Sequence, residues 1–146
     1  MIRQRLSQAG VAAAVLCAAV AQAQSPAPAA QQPPRPPTGQ DARWLAYGES
    51  ESGTFYFDPA SIQVRGERKR VWRLFELKDP RANGVQSGKA LVEFDCKDST
   101  YRYLRTLYYG GPQGRGKYLG GAQAQVVEPV SPGSMIGLLA QKVCGG

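Results

Sequence analysis

The sequence predicts an α+β domain: an antiparallel sheet of about six strands with one C-terminal helix packed on a face and tied there by a disulfide. Three observations lead to this. From residue 41 onward the chain is rich in aromatic residues and broken by glycine, proline and Asx turns, which suits strands better than a helix bundle. Near the C-terminus the apolar period changes from two to that of a helix. Cys96 falls in a strand pattern and Cys144 at the end of the helix pattern, an even pair in a chain that reads as exported.

The elements follow in order. Residues 43–47, with Trp44 and Tyr47, are the expected first strand before a glycine-containing turn. In residues 54–58, Phe55 and Phe57 alternate with Tyr56, Pro59 ends the run, and Ser61 and Ile62 begin a short return segment. Residues 68–77 are the clearest long strand, with Val71, Trp72, Leu74, Phe75 and Leu77 as its apolar content. Asp79-Pro80 and Asn83-Gly84 mark a loop.

In residues 90–96, Ala90, Val92, Phe94 and Cys96 share the core face, while Leu91, Glu93 and Asp95 share the other, read as the solvent side. A turn at 97–99 leads into a strand over 101–109. The glycine-rich stretch 110–121 reads as a loop, and residues 122–128 as a last strand. Ser131 is the expected helix cap, with Pro132 in the first turn. Ile136, Leu139, Ala140 and Val143 then lie at i, i+3, i+4 and i+7 on one face, with Cys144 close to it. A Cys96–Cys144 bridge closes 48 residues, which is about 4 kcal/mol in the chain-entropy model.

Ahead of this domain (residues 41–146) the chain has the marks of export. Arg3 and Arg5 precede an apolar run over 11–20, and Ala21 and Ala23 offer the small residues of a cleavage site, so residues 1–23 read as a signal peptide. The run is shorter than the ~20 residues a membrane span requires. Cys17 raises lipid attachment, but the preceding residue is Leu16 where that processing wants a small one, so Cys17 reads as part of the apolar region. Residues 24–40 carry six prolines among alanine and glutamine, an extended spacer. Loss of Arg3 and Arg5 takes the net charge from +7 to +5, and no transmembrane helix is expected in the mature chain.

Catalytic chemistry has no visible constellation. The chain contains no histidine, hence no Ser-His or Cys-His pair, and two isolated cysteines make a poor metal site. Asp95 and Asp98 are read as strand and turn carboxylates rather than an acid–base pair. The chain is therefore read as a non-enzyme with no cofactor and no bound metal. Two basic clusters remain. Arg102, Arg105, Arg115 and Lys117 lie among Tyr108, Tyr109 and other tyrosines, and Arg68, Lys69 and Arg70 form a second group. Interleaved arginine and tyrosine suit a protein partner or an acidic envelope or matrix component, and export argues against nucleic acid. The competing reading is that the tyrosines pack and the arginines are solvated.

Trp44, the run Phe55-Tyr56-Phe57-Asp58 with Ser61-Ile62, Val71-Trp72, Phe94-Asp95-Cys96, Glu128-Pro129 and the closing helix to Cys144 come in a set order. That order resembles the surface-adhesin protein E-like family. The resemblance implies a six-stranded antiparallel sheet with its helix held by Cys96–Cys144. It also implies a place at the bacterial surface, binding to host matrix proteins such as vitronectin and laminin, and a capacity to form a homodimer. The family's adhesin is a lipoprotein, whereas Leu16 spoils the lipid site here. The expected location is thus periplasmic or secreted before surface-anchored, and the alternative function is a soluble periplasmic accessory protein that binds an acidic envelope component.

Overall fold

The computed structural model describes residues 43–145; the expected signal peptide (1–23) and spacer (24–40) lie outside them. Eight strands make one sheet: β1 (Leu45–Ser50), β2 (Gly53–Phe57), β3 (Gln63–Arg65), β4 (Arg68–Leu77), β5 (Ser87–Asp95), β6 (Thr100–Tyr109), β7 (Tyr118–Ala122) and β8 (Glu128–Pro129). The order is β1-β2-β4-β5-β6-β7, every pairing is antiparallel, and the short β3 and β8 pair with β4 and β6. One helix, α1 (Met135–Cys144), follows.

β2 and β3 share the same edge of β4 because the chain steps aside between them. Asp58 caps a single 3-10 turn over Pro59–Ser61, its side chain accepting from the Ala60 amide. The Ser61 hydroxyl accepts from the Trp72 amide at 2.9 Å, which satisfies a β4 donor where the ladder is interrupted. Gly66, with φ +63°, turns the chain back from β3 into β4.

α1 covers one face of the sheet. Ile136, Leu139 and Val143 pack on Phe57, Val71, Val92 and Phe94, as the helical spacing predicts. The cap is Ser134, whose hydroxyl accepts from the Gly137 amide, and not Ser131. Ser131 contributes instead its carbonyl, which accepts from the Ser134 hydroxyl at 2.6 Å, so the residues before the helix form a turn. Two links hold the far end. The Cys96–Cys144 disulfide joins the end of β5 to the last turn, and Lys69 donates from Nζ to the Val143 carbonyl at 2.9 Å. A cation at that end also opposes the helix dipole.

The opposite face departs from the sequence reading. Leu91 is fully buried and Glu93 only 4% exposed, so this side of β5 is not a solvent face. Trp72, Leu91 and Leu107 form a second apolar cluster there, with Trp44, Leu104 and Tyr109 against it. A second correction concerns the expected last strand at residues 122–128. The pairing strand is β7, which begins four residues earlier within the stretch read as a loop, and residues 123–127 are irregular. Gly120 and Gly121 hid it: they lower strand propensity, yet Gly121 lies where an added Cβ would come within 2.7 Å of the Thr106 carbonyl oxygen.

Candidate functional site: a basic and aromatic surface

The strand β6 sets the geometry of the candidate residues. Arg102 and Arg105 are three apart, which in a regular strand would send them to opposite faces. The β5–β6 register instead shifts at Leu104, pairing Glu93 with Arg102 and Leu91 with Arg105. Both arginines therefore share the face opposite α1. A bulge of one residue resets side-chain parity in this way, and nothing in the alternation of the sequence marks it.

Sharing a face does not make them one site. Glu93 accepts from Arg102 Nε at 2.9 Å and Arg102 Nη2 at 2.5 Å, and from Arg70 Nε at 2.6 Å. Arg68 lies 3.8 Å from the same carboxylate and 3.4 Å from Asp95. Burial opposes ionisation of Glu93, but the hydrogen bonds and charges of Arg70 and Arg102 outweigh it and hold the carboxyl below its usual range. Arg102 thus belongs with Arg68 and Arg70, in a cross-strand knot spanning β4, β5 and β6. Lys69, one residue from each, points to the other face and holds α1.

Asp95 and Asp98 do not form an acid–base pair. The Asp98 amide donates to Asp95 Oδ1 at 3.1 Å. That bond, the partial desolvation it works against, and the Arg68 contact together leave Asp95 below its ordinary range. This is the geometry of a turn carboxylate at the β5–β6 hairpin.

The remaining candidates gather at the other end of β6. Arg105 and Tyr118 line a cleft of about 270 Å³, and the Arg105 charge reaches Tyr109. Tyr109 and Tyr118 meet edge to face at 6.0 Å between centroids. Lys89, almost wholly buried, sits 5.5 Å from the centre of the Tyr109 ring. Burial first, and the nearby charge of Arg115 second, lower the Lys89 pKa. Tyr108 is separated from this group: it points to the α1 side and packs on Phe75 at 6.3 Å.

Arg115 and Lys117 are exposed on the β6–β7 loop, which a buried serine holds over the sheet. Ser87 donates from Oγ to the Gly111 carbonyl at 2.5 Å and accepts from the Gly114 amide at 2.8 Å. Gly114 has φ +65° and lies against the Lys89 stem, where an added Cβ would come within 2.3 Å of Lys89 Cε. Glycine is thus required there on both conformational and steric grounds. Nothing in the sequence marks Ser87, since a lone serine at the start of a strand carries no pattern. Among the described residues, Arg105, Arg115 and Lys117 make no ion pair within 4.0 Å.

Comparison with known proteins places this fold. No protein among curated sequences matches the chain. Solved structures of Haemophilus influenzae protein E do. One covers 76% of this chain and 90% of its own, at 17% identity and a TM-score of 0.60. A second crystal form covers 76% and 94%, at 18% identity and a TM-score of 0.58. Protein E from non-typeable H. influenzae covers 76% and 81%, at 17% identity and a TM-score of 0.57. At such identities the likeness speaks for the fold. The family description "Surface-adhesin protein E" matches residues 44–145, most of the chain and the whole of the sheet and helix, and the chain belongs to that family.

Proposed function

We propose that this chain is a non-enzymatic binding protein of the bacterial cell envelope that adheres to host matrix proteins of the vitronectin or laminin type. The contact surface is the hairpin end of β6 and β7. The observation that carries this reading is that Arg105, Arg115 and Lys117 lack carboxylate partners among the described residues, with Arg105 and Tyr118 lining one cleft and Tyr118 meeting Tyr109 edge to face. Arginine and tyrosine are enriched at protein interfaces because they combine apolar area with directed polar groups. Family membership supports an adhesive role. Arg102, Arg68 and Arg70, already committed to Glu93, serve the fold.

A signal peptide over residues 1–23 and a spacer over 24–40 belong to the same proposal, with the mature chain beginning at Gln24. Among the described residues no helix is long and apolar enough to cross a membrane. The departure at Leu16 favours a second reading, a soluble periplasmic protein that uses the same cations on an acidic envelope component. Cell fractionation combined with intact mass separates the two. Surface retention with saturable matrix binding supports the adhesin, and a purely periplasmic protein starting at Gln24 supports the accessory role. Acyl chains on Cys17 would overturn the processing.

A further inference from the structure

On the α1 side of the sheet, a groove of about 280 Å³ lies between Arg73 of β4, Phe75, and Tyr103 and Tyr108 of β6. Arg73 is 7% exposed, and among the described residues no carboxylate lies within 4.0 Å of it. Its guanidinium stands 5.2 Å from the Phe55 ring centre and 5.8 Å from that of Tyr103. Nη1 donates to the Tyr103 hydroxyl at 2.9 Å, while Nε is buried with no hydrogen-bond partner.

A buried guanidinium without a counter-charge is costly, because desolvation of the cation is offset only when an anion or strong acceptors replace water. Two aromatic rings and one phenol hydroxyl supply part of that replacement. The rings take up space around the guanidinium and leave Nε without an acceptor, a donor suited to a planar carboxylate. Arg81 also lines the groove, so a second cation stands near the charge that Arg73 would hold. The aromatic walls favour an apolar body next to that charge.

We propose that this groove binds an organic carboxylate, its charge on the Nε edge of Arg73 and its apolar part between Phe75, Tyr103 and Tyr108. The site is on the opposite face from the basic hairpin surface and does not depend on the adhesive role.

The test is NMR titration of the folded, disulfide-bonded protein, reading the Arg73 Nε–H resonance. Probes are phenylacetate, its neutral amide phenylacetamide, and a short peptide ending in phenylalanine as the free acid and as the C-terminal amide. Saturable shifts at Arg73 are expected with the acids and not with the amides. The peptide acid binding more tightly than phenylacetate identifies a polypeptide C-terminus as the source, and the reverse a free small acid. Arg73→Lys lacks that resonance and is read instead from the Tyr103 and Tyr108 backbone amides; it is expected to weaken binding at least about tenfold. Ala122→Trp, a change at an exposed edge position lining the groove, is expected to block it even where Arg73→Lys impairs folding. No saturable shift with any acid up to tens of millimolar, or equal shifts with acid and amide, would overturn the proposal.

Discussion

Replacing both Cys96 and Cys144 with serine isolates what holds α1 on the sheet. The bridge closes 48 residues, which is about 4 kcal/mol in the chain-entropy model. A small domain is stable by only about 5–15 kcal/mol, so this is a large fraction of the total. The helix nevertheless retains Ile136, Leu139 and Val143 in the core, each about 1.5–3 kcal/mol when fully buried, and the Lys69 bond to Val143. The cluster of Trp72, Leu91 and Leu107 on the far face involves no helix residue. The double variant is therefore expected to fold, with a lower urea midpoint and with helix amides that exchange before those of β4 and β5. Urea denaturation with hydrogen exchange by mass spectrometry reads both. A stability loss below about 1 kcal/mol, or exchange that rises equally in helix and sheet, would refute the reasoning.

Glu93→Gln is expected to lower stability at neutral pH by about 2–4 kcal/mol, since it removes the shared partner of two half-buried arginines and of Arg68. The Glu93 carboxyl is held below its usual range, so its contribution is present above the unfolded-state pKa and is lost as pH falls through the lower folded-state value. The variant should accordingly show a shallower loss of stability on acidification, measured by urea midpoints from neutral pH to below the carboxylate range. Ser87→Ala leaves the Gly111 carbonyl and Gly114 amide without their partner. It is expected to cost about 1–3 kcal/mol and to speed exchange at Gly114 with little change in α1. Arg102→Glu would face Glu93 with a second carboxylate, so its primary effect is expected as a lower melting temperature.

Much of this fold was legible because its strongest signals are local. β4 covers the span 68–77 expected for it, and the core face of α1 follows from spacing alone. The Cys96–Cys144 pairing was readable because, of three cysteines, only these two follow the expected signal peptide, and strand and helix parity bring them together. What was hidden depends on partners distant in sequence. The bulge at Leu104 arises from the register with β5. The burial of Leu91 arises from the second cluster, and Glu93 is enclosed by the arginines of β4 and β6, although their strand reads as half polar. β7 forms at the sheet edge despite two glycines, where backbone pairing with β6 overrides side-chain propensity. For the same reason the basic residues were legible as candidates but not as groups: Arg102 lies three residues from Arg105 yet is bound to Glu93, and Lys69 lies between Arg68 and Arg70 yet holds the Val143 carbonyl on the other face.

The central claim is that the hairpin cations bind an acidic surface on a matrix partner, and paired charge reversals test it most directly. Binding of the mature protein to immobilised vitronectin and laminin is measured across a salt series. Wild type is compared with Arg105→Glu/Arg115→Glu and with Lys97→Glu/Lys142→Glu, a control of equal charge change at exposed positions elsewhere. Exposed charges are screened over about 10 Å at 0.1 M salt, so wild-type affinity should fall as salt rises. The hairpin reversal should lower affinity at least about tenfold and flatten the salt dependence, while the control pair behaves as wild type. Equal losses in both variants, or unchanged binding and salt dependence in the hairpin variant, would contradict it.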